Sequence, residues 1–387
     1  MLNRRILRVK AMQALYGYFT AVESLKEVKR EELRATHALD PAKHDFADKA
    51  LFEKRKQQAV ELFNQNIHHE IVRSEDKAEE GVLQSVQDAI DDFHGQLRRE
   101  SLSRKNEMMK EARQLFESYI KLLLLPIEIE QREKLEQEKE EKALLSREQN
   151  FYPFIGNETI QALKDFDELT REATSLHISW DVEQQEIKSW YRNQIRSADA
   201  LKPYFSDNAE QATAQSVVME LFKKVVFKDE IITGYLEQKQ LHWSENNAIL
   251  KSMIVKTIKG LQEEGTLEFA DLTKNGEEDF KFLERLFSDT LEQNDFLEEL
   301  IQKRTKNWDV ERIALTDRVI LKLACVEMMN SPSIPVKVSI NEAIEISKMY
   351  STPKSKQFIN GVLDVVSNEL NSSGKIRKSG RGLIDNK

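Results

Sequence analysis

Apolar residues recur every three or four positions along most of the 387-residue chain, which is the spacing of amphipathic helices. No segment shows the regular alternation of apolar and polar residues that is typical of a β-strand. Glycine and proline are scarce, with 12 and 7 residues, so little of the chain has the turn chemistry of hairpins. The pattern therefore predicts an all-α protein.

The N-terminal two thirds of the chain are predicted to form long, mostly polar helices. The first is expected over residues 3–22, and Pro126 is expected to end or kink the apolar helix that contains it. The run "EIEQREKLEQEKEEKALLSREQ" (128–149) lacks the regular heptads of a coiled coil and predicts a solvated helix. Trp180 and Trp190 fall in a helical pattern as core anchors rather than as a ligand cage.

The C-terminal pattern is sharper. Helices are predicted there over residues 278–304, 309–330 and 353–370, with a further one that starts near Ser339. Thr352, which is followed by Pro353, predicts the N-cap of the last helix. That helix is expected to bury Ile359, Val362, Leu363, Val366 and Leu370. Gly361 in its middle costs about 1 kcal/mol relative to alanine, so we expect it to allow close helix packing.

Charge is distributed unevenly. The formal net charge is −9, yet the opening stretch "NRRILRVKAMQALYGY" (3–18) contains no acid. At 100° per residue, Arg5, Arg8 and Tyr16 share one helix face, and an apolar stripe lies on another. This helix therefore either presents two guanidinium groups and an aromatic ring to a partner or is a core helix with a solvated basic face. The tail, residues 371–387, is also basic and is expected to be disordered.

The sequence contains no local signal for catalysis. It has no glycine-rich phosphate loop, no His-Glu-x-x-His motif and no cysteine pair for zinc. The single cysteine, Cys325, excludes an intrachain disulfide and is expected to be a packed core thiol. The longest apolar run, residues 122–125, is too short to span a membrane, and the N-terminus does not have the pattern of a signal peptide. We therefore expect a soluble, cytoplasmic, non-enzymatic protein without a metal or cofactor.

Three motifs follow one another in residues 313–366: "DRVILKLA", "IPVKVSINEAIEISK" and "FINGVLD". In this order and spacing they resemble the C-terminal half of the NusB family of transcription antitermination factors. The opening "RRILRVKAMQALYGY" (4–18) is similar to the arginine-rich first helix of that family, and residues 278–304 are similar, less closely, to its long central helix. The resemblance covers the two ends of the chain and not its middle.

The resemblance implies a pair of packed antiparallel helical bundles with a large helical insertion. On this basis the chain divides into the first helix of the family domain (1–23), a helical insertion of unknown role (24–270), the remainder of the domain (271–370) and the tail (371–387).

The resemblance also implies a function. NusB proteins bind the boxA element of nascent ribosomal RNA as a single strand, together with the ribosomal protein NusE, and help RNA polymerase to read through terminators. The matching positions imply RNA contacts at Arg4, Arg5, Arg8, Tyr16, Lys354, Ser355 and Phe358, and a NusE-facing acid at Asp317.

Some positions qualify this comparison. Ile6 stands where another arginine is common in the family, and Lys354 stands where some members carry an acid. A lysine at this second position is expected to raise the affinity for RNA and to relax selectivity. On the helical pattern alone, Phe358 would be a partly buried core ring; the resemblance favours the RNA contact instead.

Two other functions remain open on the sequence. The chain could be a helical scaffold in which the insertion dominates and the RNA site is vestigial. It could also be part of a ribosomal RNA cytosine methyltransferase system, in which the same fold precedes a catalytic domain. That second alternative requires a glycine-rich cofactor loop and a reactive cysteine, which the sequence does not offer.

Overall fold

The computed structural model describes residues 4–40, 49–69, 71–73, 79–142, 151–205, 213–240, 243–264, 267–269, 276–304 and 313–384. These ranges are predominantly helical and contain no β-strand, which confirms the predicted all-α class. The α-helices are α1 (Arg4–Thr36), α2 (Lys49–Asn66), α3 (Glu80–Lys142), α4 (Glu158–Lys164), α5 (Asp167–Ser175), α6 (Gln184–Trp190), α7 (Ala214–Glu220), α8 (Glu230–Lys239), α9 (Trp243–Glu264), α10 (Gly276–Glu292), α11 (Asn294–Arg304), α12 (Leu315–Asn330), α13 (Val336–Tyr350) and α14 (Ser355–Ser372). Two π-helical segments, Tyr191–Ile195 and Leu221–Val226, continue α6 and α7.

The chain divides into two compact units. The first unit consists of Met1–Leu7 and Lys110–Lys281, and the second of Arg8–Met109 and Phe282–Lys387. The stretch predicted as an insertion, residues 24–270, is therefore shared between the two units. Its first part belongs with the C-terminal helices, and the rest makes up most of the first unit.

In the second unit, α12, α13 and α14 pack on one another. α12 is buried along nearly its whole length, because it has neighbouring helices on more than one side. The five inner-face residues predicted for α14, from Ile359 to Leu370, are buried as expected. Cys325 in α12 is fully buried, and burial raises the pKa of its thiol to about 12. The predicted packed core thiol is confirmed.

Two predicted helix boundaries are wrong. The first helix does not end at residue 22 but continues to Thr36, because its apolar face extends into a further cluster of side chains. The helix predicted over residues 278–304 is two helices, α10 and α11, which a turn at Gln293 separates.

The extended part of α1 packs with α2 and the first turns of α3. The buried side chains of this three-helix cluster are Leu33, Ala59, Leu62, Phe63, Ile67, Val82, Val86, Ile90 and Phe93. The rings of Phe63 and Phe93 meet edge to face, with centroids 5.9 Å apart, which is a favourable aromatic geometry. The first part of the predicted insertion thus has an apolar core of its own.

In the first unit, α3 continues through Pro126 and does not end there. The charged residues that follow were predicted to be solvated, and this is wrong for Glu130, Glu133 and Glu136, which are buried. Buried carboxylates need hydrogen-bond donors or cations. Glu130 accordingly pairs with Lys164 at 2.5 Å.

Glu133 joins α3 to two other segments of the first unit. Its carboxylate accepts the backbone N–H groups of Phe154 and Ile155, at 2.8 and 3.0 Å, and the Tyr191 hydroxyl at 3.0 Å. Burial raises the pKa of this carboxyl to about 7. The predicted tryptophan anchors are confirmed nearby, because Trp180 and Trp190 are buried edge to face with centroids 5.9 Å apart.

The tail was predicted to be disordered, but its described part packs against other residues of the second unit. Ile376 is buried, and the ammonium group of Lys378 donates to the carbonyl of Ser331 at 2.9 Å. The backbone N–H of Ser379 donates to the carbonyl of Pro332 at 3.0 Å. Burial lowers the pKa of Lys378 to about 8. One apolar anchor and these hydrogen bonds hold a segment whose composition alone favours disorder.

Candidate nucleic-acid interface

Arg8 lies in the core of the second unit. Its Nε and Nη2 atoms donate to the two carboxylate oxygens of Glu327 on α12, at 2.6 and 2.8 Å. The hydroxyl of Ser339 on α13 donates to the same carboxylate at 2.6 Å, and the carboxylate of Glu342 lies 3.8 Å from Arg8 Nη1. Arg8 is 4% exposed and Glu327 is 1% exposed. These bonds link α1 to α12 and α13. The guanidinium group that the family resemblance assigns to RNA is therefore hydrogen-bonded inside the protein.

Arg4 and Arg5, at the start of α1, are closer to solvent than Arg8. Arg4 and Arg5 belong to the first unit, and both are partly exposed. Arg4 Nε lies 3.7 Å from a carboxylate oxygen of Asp279 in the same unit. Tyr16, three turns further along α1, is 43% exposed. Of the stripe predicted to align two guanidinium groups with an aromatic ring, Arg5 and Tyr16 therefore reach solvent, whereas Arg8 does not.

Asp317 and Ser355 are brought together at the start of α14. The carboxylate oxygens of Asp317 accept the hydroxyls of Ser351 and Ser355, at 2.6 and 2.7 Å. Asp317 and Ser355 are 6% and 3% exposed, so both groups are engaged inside the protein. The N-cap of α14 is Lys354 rather than the predicted Thr352, whose hydroxyl lies 2.8 Å from Ser355 Oγ. The structure therefore places Asp317 and Ser355 where they position the first turn of α14.

One face of α14 is open to solvent. Lys354 is exposed at its start, and Phe358, one turn later, is partly exposed. Gly361 and Val365 continue the same row and are also exposed. No atom lies within 4 Å of the place where a Cβ on Gly361 would stand, so the predicted close packing at this glycine is wrong. We call these four residues the α14 face: a cation, an aromatic ring and an apolar side chain along one row.

The partners of Arg8 were missed from the sequence. Glu327 stands in the apolar run "LACVEMM", where an acid needs a buried cation or several donors. That signal was available, but the cation lies 319 residues away along the chain. Val365 of the α14 face was also missed. The sequence could have indicated it, because Phe358, Gly361 and Val365 follow one another at the helical spacing of three and four residues.

Among the described residues, no group of three or more His, Cys, Asp and Glu side chains is placed to hold a metal ion. In the same part of the chain, no helix combines the length and the apolar character that crossing a membrane requires.

Comparison with known proteins identifies a family for the C-terminal part of the chain. The model of the NusB family matches residues 248–368, a region that starts within α9 and does not include α1. The chain is 46% identical over 103 residues to the transcription antitermination protein NusB of Salinibacter ruber, which covers 27% of this chain and 64% of that protein. It is 39% identical over 137 residues to the protein of the same name from Chloroherpeton thalassium, covering 35% and 62% of the two chains. No solved structure matches.

The aligned part of the chain thus spans less than two thirds of those two relatives. It spans 68% of the transcription antitermination protein NusB of Bacillus pumilus, with 45% identity over 89 residues, which is 23% of this chain. The family model covers all of α12 and α13 and residues 355–368 of α14, and so it includes the Arg8 partner, the Asp317 cluster and the α14 face. The chain belongs to the NusB family.

Proposed function

We propose that this chain is a transcription antitermination factor that acts by binding. It holds boxA-type single-stranded RNA of nascent ribosomal RNA transcripts together with the ribosomal protein NusE, and so promotes read-through by RNA polymerase. The observation that carries the proposal is the open α14 face within the region that matches the NusB family.

The chemistry of the α14 face suits a single RNA strand. Lys354 offers a charge to a phosphate, and such contacts give salt-dependent affinity. Phe358 offers part of a ring on which an unpaired base can stack. Arg5 and Tyr16 supply the same two kinds of group on α1.

Three residues that match RNA-contacting or partner-contacting positions of the family receive a different role in this proposal. Arg8, Ser355 and Asp317 are buried and hydrogen-bonded inside the protein. They position α1 and the first turn of α14, and they act on RNA or NusE through those elements. Direct contacts from these three side chains would require the buried bonds to open.

The experiment is a titration of the full-length protein with a short fluorescent boxA-like RNA, in a salt series and with or without NusE. The slope of log affinity against log salt is negative. Lys354→Gln should make it shallower by about 0.7, since one phosphate contact is lost. Phe358→Leu should weaken binding by about 1–3 kcal/mol and leave the slope unchanged, because stacking releases no counterions. Arg5→Gln should behave like Lys354→Gln.

The matched control is Lys303→Gln, which removes an exposed charge at the end of α11. It should leave both affinity and slope at wild-type values. If the wild type does not bind boxA-like RNA in any condition, or if the α14 variants behave like the control, the proposal is refuted. The alternative of a helical scaffold with a vestigial RNA site then takes its place.

A further inference from the structure

Two segments of the first unit carry lysines and no acid, in a chain with a net charge of −9. The first is "LFKKVVFK" (221–228), which contains Lys223, Lys224 and Lys228. The second is "NNAILKSMIVKTIKGLQ" (246–262), which contains Lys251, Lys256 and Lys259. Both lie outside the α14 face and outside α1. None of the site residues described above lies in either segment.

The fold places these segments side by side. The π-helical segment Leu221–Val226 packs against α9, and the ammonium group of Lys251 donates to the carbonyl of Lys223 at 3.3 Å. One end of the same pair of helices is fixed where the Gln215 side chain donates to the carbonyl of Ile258 at 2.6 Å. Because residue 215 meets 258 and residue 223 meets 251, the two helices run antiparallel. Their solvent-facing lysines therefore lie along adjoining helices.

Several other cations of the unit are paired with carboxylates. Arg192, for example, is held by the carboxylate of Glu136 at 2.8 Å. Within the described ranges, none of Lys223, Lys224, Lys228 and Lys259 has a carboxylate within ion-pair distance. Asp229, the acid that directly follows Lys228, is turned to the start of α8, where it accepts the backbone N–H groups of Ile231 and Ile232.

An aromatic ring lies among the lysines. Phe227 stands between Lys224 and Lys228 in the sequence, and it is partly exposed. Its ring stacks in parallel on the buried Trp243, with centroids 5.6 Å apart, so its orientation is held. Cations interleaved with a fixed aromatic ring are typical of surfaces that bind single-stranded nucleic acid, where phosphates meet the cations and bases meet the rings. This combination favours RNA over an acidic protein.

We propose that Lys223, Lys224, Lys228 and Lys259 form a second phosphate-binding face, located in the first unit, for the backbone of single-stranded RNA. We call it the lysine face. Because it offers ammonium groups and no reader of base edges, it binds RNA without preference for sequence. This inference goes beyond the proposed function and does not depend on it. It gives the first unit a role, which is to hold single-stranded RNA.

The test uses the full-length protein and a fluorescent single-stranded oligoadenylate, which lacks any boxA element. The variant Lys223→Gln/Lys224→Gln/Lys259→Gln removes three charges of the lysine face. Its matched control, Lys139→Gln/Lys142→Gln/Lys202→Gln, removes three lysines of the same unit whose side chains are 56%, 81% and 61% exposed. Circular dichroism is recorded first, to check that both variants are folded.

In the lysine-face variant, the negative slope of log affinity against log salt should become shallower by about 2, at about 0.7 for each of three contacts. The affinity advantage of the wild type over this variant should therefore shrink by roughly 20-fold between 50 and 200 mM salt. The control should keep the wild-type slope. A wild type that does not bind oligoadenylate, or equal slopes for the two variants, would overturn the inference. So would displacement of the RNA by oligoglutamate as readily as by unlabelled RNA.

The same variants separate this inference from the proposed function. The lysine-face variant should still bind a short boxA-like RNA, and that binding should still depend on Lys354. Loss of boxA binding in the wild type, with oligoadenylate binding retained, would refute the proposed function and leave the lysine face standing.

Discussion

Replacing Arg8 with methionine tests the role of the buried pair directly. The change leaves the carboxylate of Glu327 in the core, with the hydroxyl of Ser339 still donating to it but without the guanidinium group. Methionine fills much of the space of the arginine stem, so the main loss is the charge and its two hydrogen bonds. The free energy of unfolding of the second unit should fall.

The magnitude follows from the burial of both partners. At exposures of 4% and 1%, neither charge is well solvated once it is alone. Two opposite charges about 4 Å apart interact by about 4 kcal/mol at an effective dielectric constant of 20. Measured losses on removing one partner of a buried pair are about 3–5 kcal/mol. Since a domain is stable by about 5–15 kcal/mol, Arg8→Met should cost a large fraction of the stability of this unit.

The double variant Arg8→Met/Glu327→Met is the matched control. It removes both charges of the buried pair, and replacing a whole buried pair by apolar side chains is often close to neutral. Ser339 then loses its acceptor, which costs about 1 kcal/mol. The double variant should therefore be more stable than Arg8→Met by about 2 kcal/mol or more.

Hydrogen exchange read by mass spectrometry resolves the two units. Peptides from α12 and α13 report on the second unit, and peptides from α4 and α5 serve as an internal reference in the first. Protection of α12 and α13 should drop in Arg8→Met and recover in the double variant, while the reference peptides stay unchanged. Urea titrations followed by circular dichroism give the overall stability.

Three outcomes would refute the reasoning. The first is a cost below about 1 kcal/mol for Arg8→Met. The second is a double variant as unstable as the sum of the two single changes, Arg8→Met and Glu327→Met. The third comes from RNA binding, measured at a temperature at which all variants are folded. If the double variant loses as much boxA affinity as Arg5→Gln while hydrogen exchange in α1 stays at the wild-type level, then Arg8 contacts RNA itself.

Three further predictions concern the network of the first unit and the start and middle of α14. Burial holds the pKa of Glu133 at about 7, above its ordinary 4.5, so the folded protein keeps a proton that the unfolded chain releases, and this contribution to stability is lost as the pH rises from 4.5 to 7. Glu133→Gln, which keeps an acceptor for the two amides, should therefore gain up to about 3 kcal/mol on the wild type between pH 5 and pH 8 in urea titrations; a difference that does not vary with pH would contradict this. Asp317→Ala leaves the buried hydroxyl of Ser355 without its carboxylate acceptor and should cost about 1–3 kcal/mol, with faster hydrogen exchange at the first turn of α14; unchanged exchange there would argue against a positioning role. Gly361→Ala meets no atom within 4 Å and should raise stability by about 0.5–1 kcal/mol in thermal unfolding, whereas a loss would mean that the site is packed.

The charged residues show where prediction from sequence stopped. The run after Pro126 has the composition of a solvated helix, yet Glu133 is buried because backbone amides and a tyrosine hydroxyl from other segments reach it. The acid-free start of α1 has the composition of an open basic face, yet Arg8 is buried because it donates hydrogen bonds to the buried carboxylate of Glu327 in α12. In both cases the partner lies far along the chain, and local composition carries no information about it.

Apolar periodicity by itself determined that the chain is helical, which residues of α14 face inward, and that Cys325 and the tryptophans are packed. These properties follow from the spacing of side chains around a helix, which is a local matter. The motifs near the C-terminus determined the family. Tertiary structure decided the rest: which cations and acids are buried, that α1 extends into a three-helix cluster, that Ile376 anchors the tail, and that two lysine segments adjoin. The reason is that the free energy of a charge depends on whether a distant partner replaces the water it loses, and only the folded chain brings such partners together.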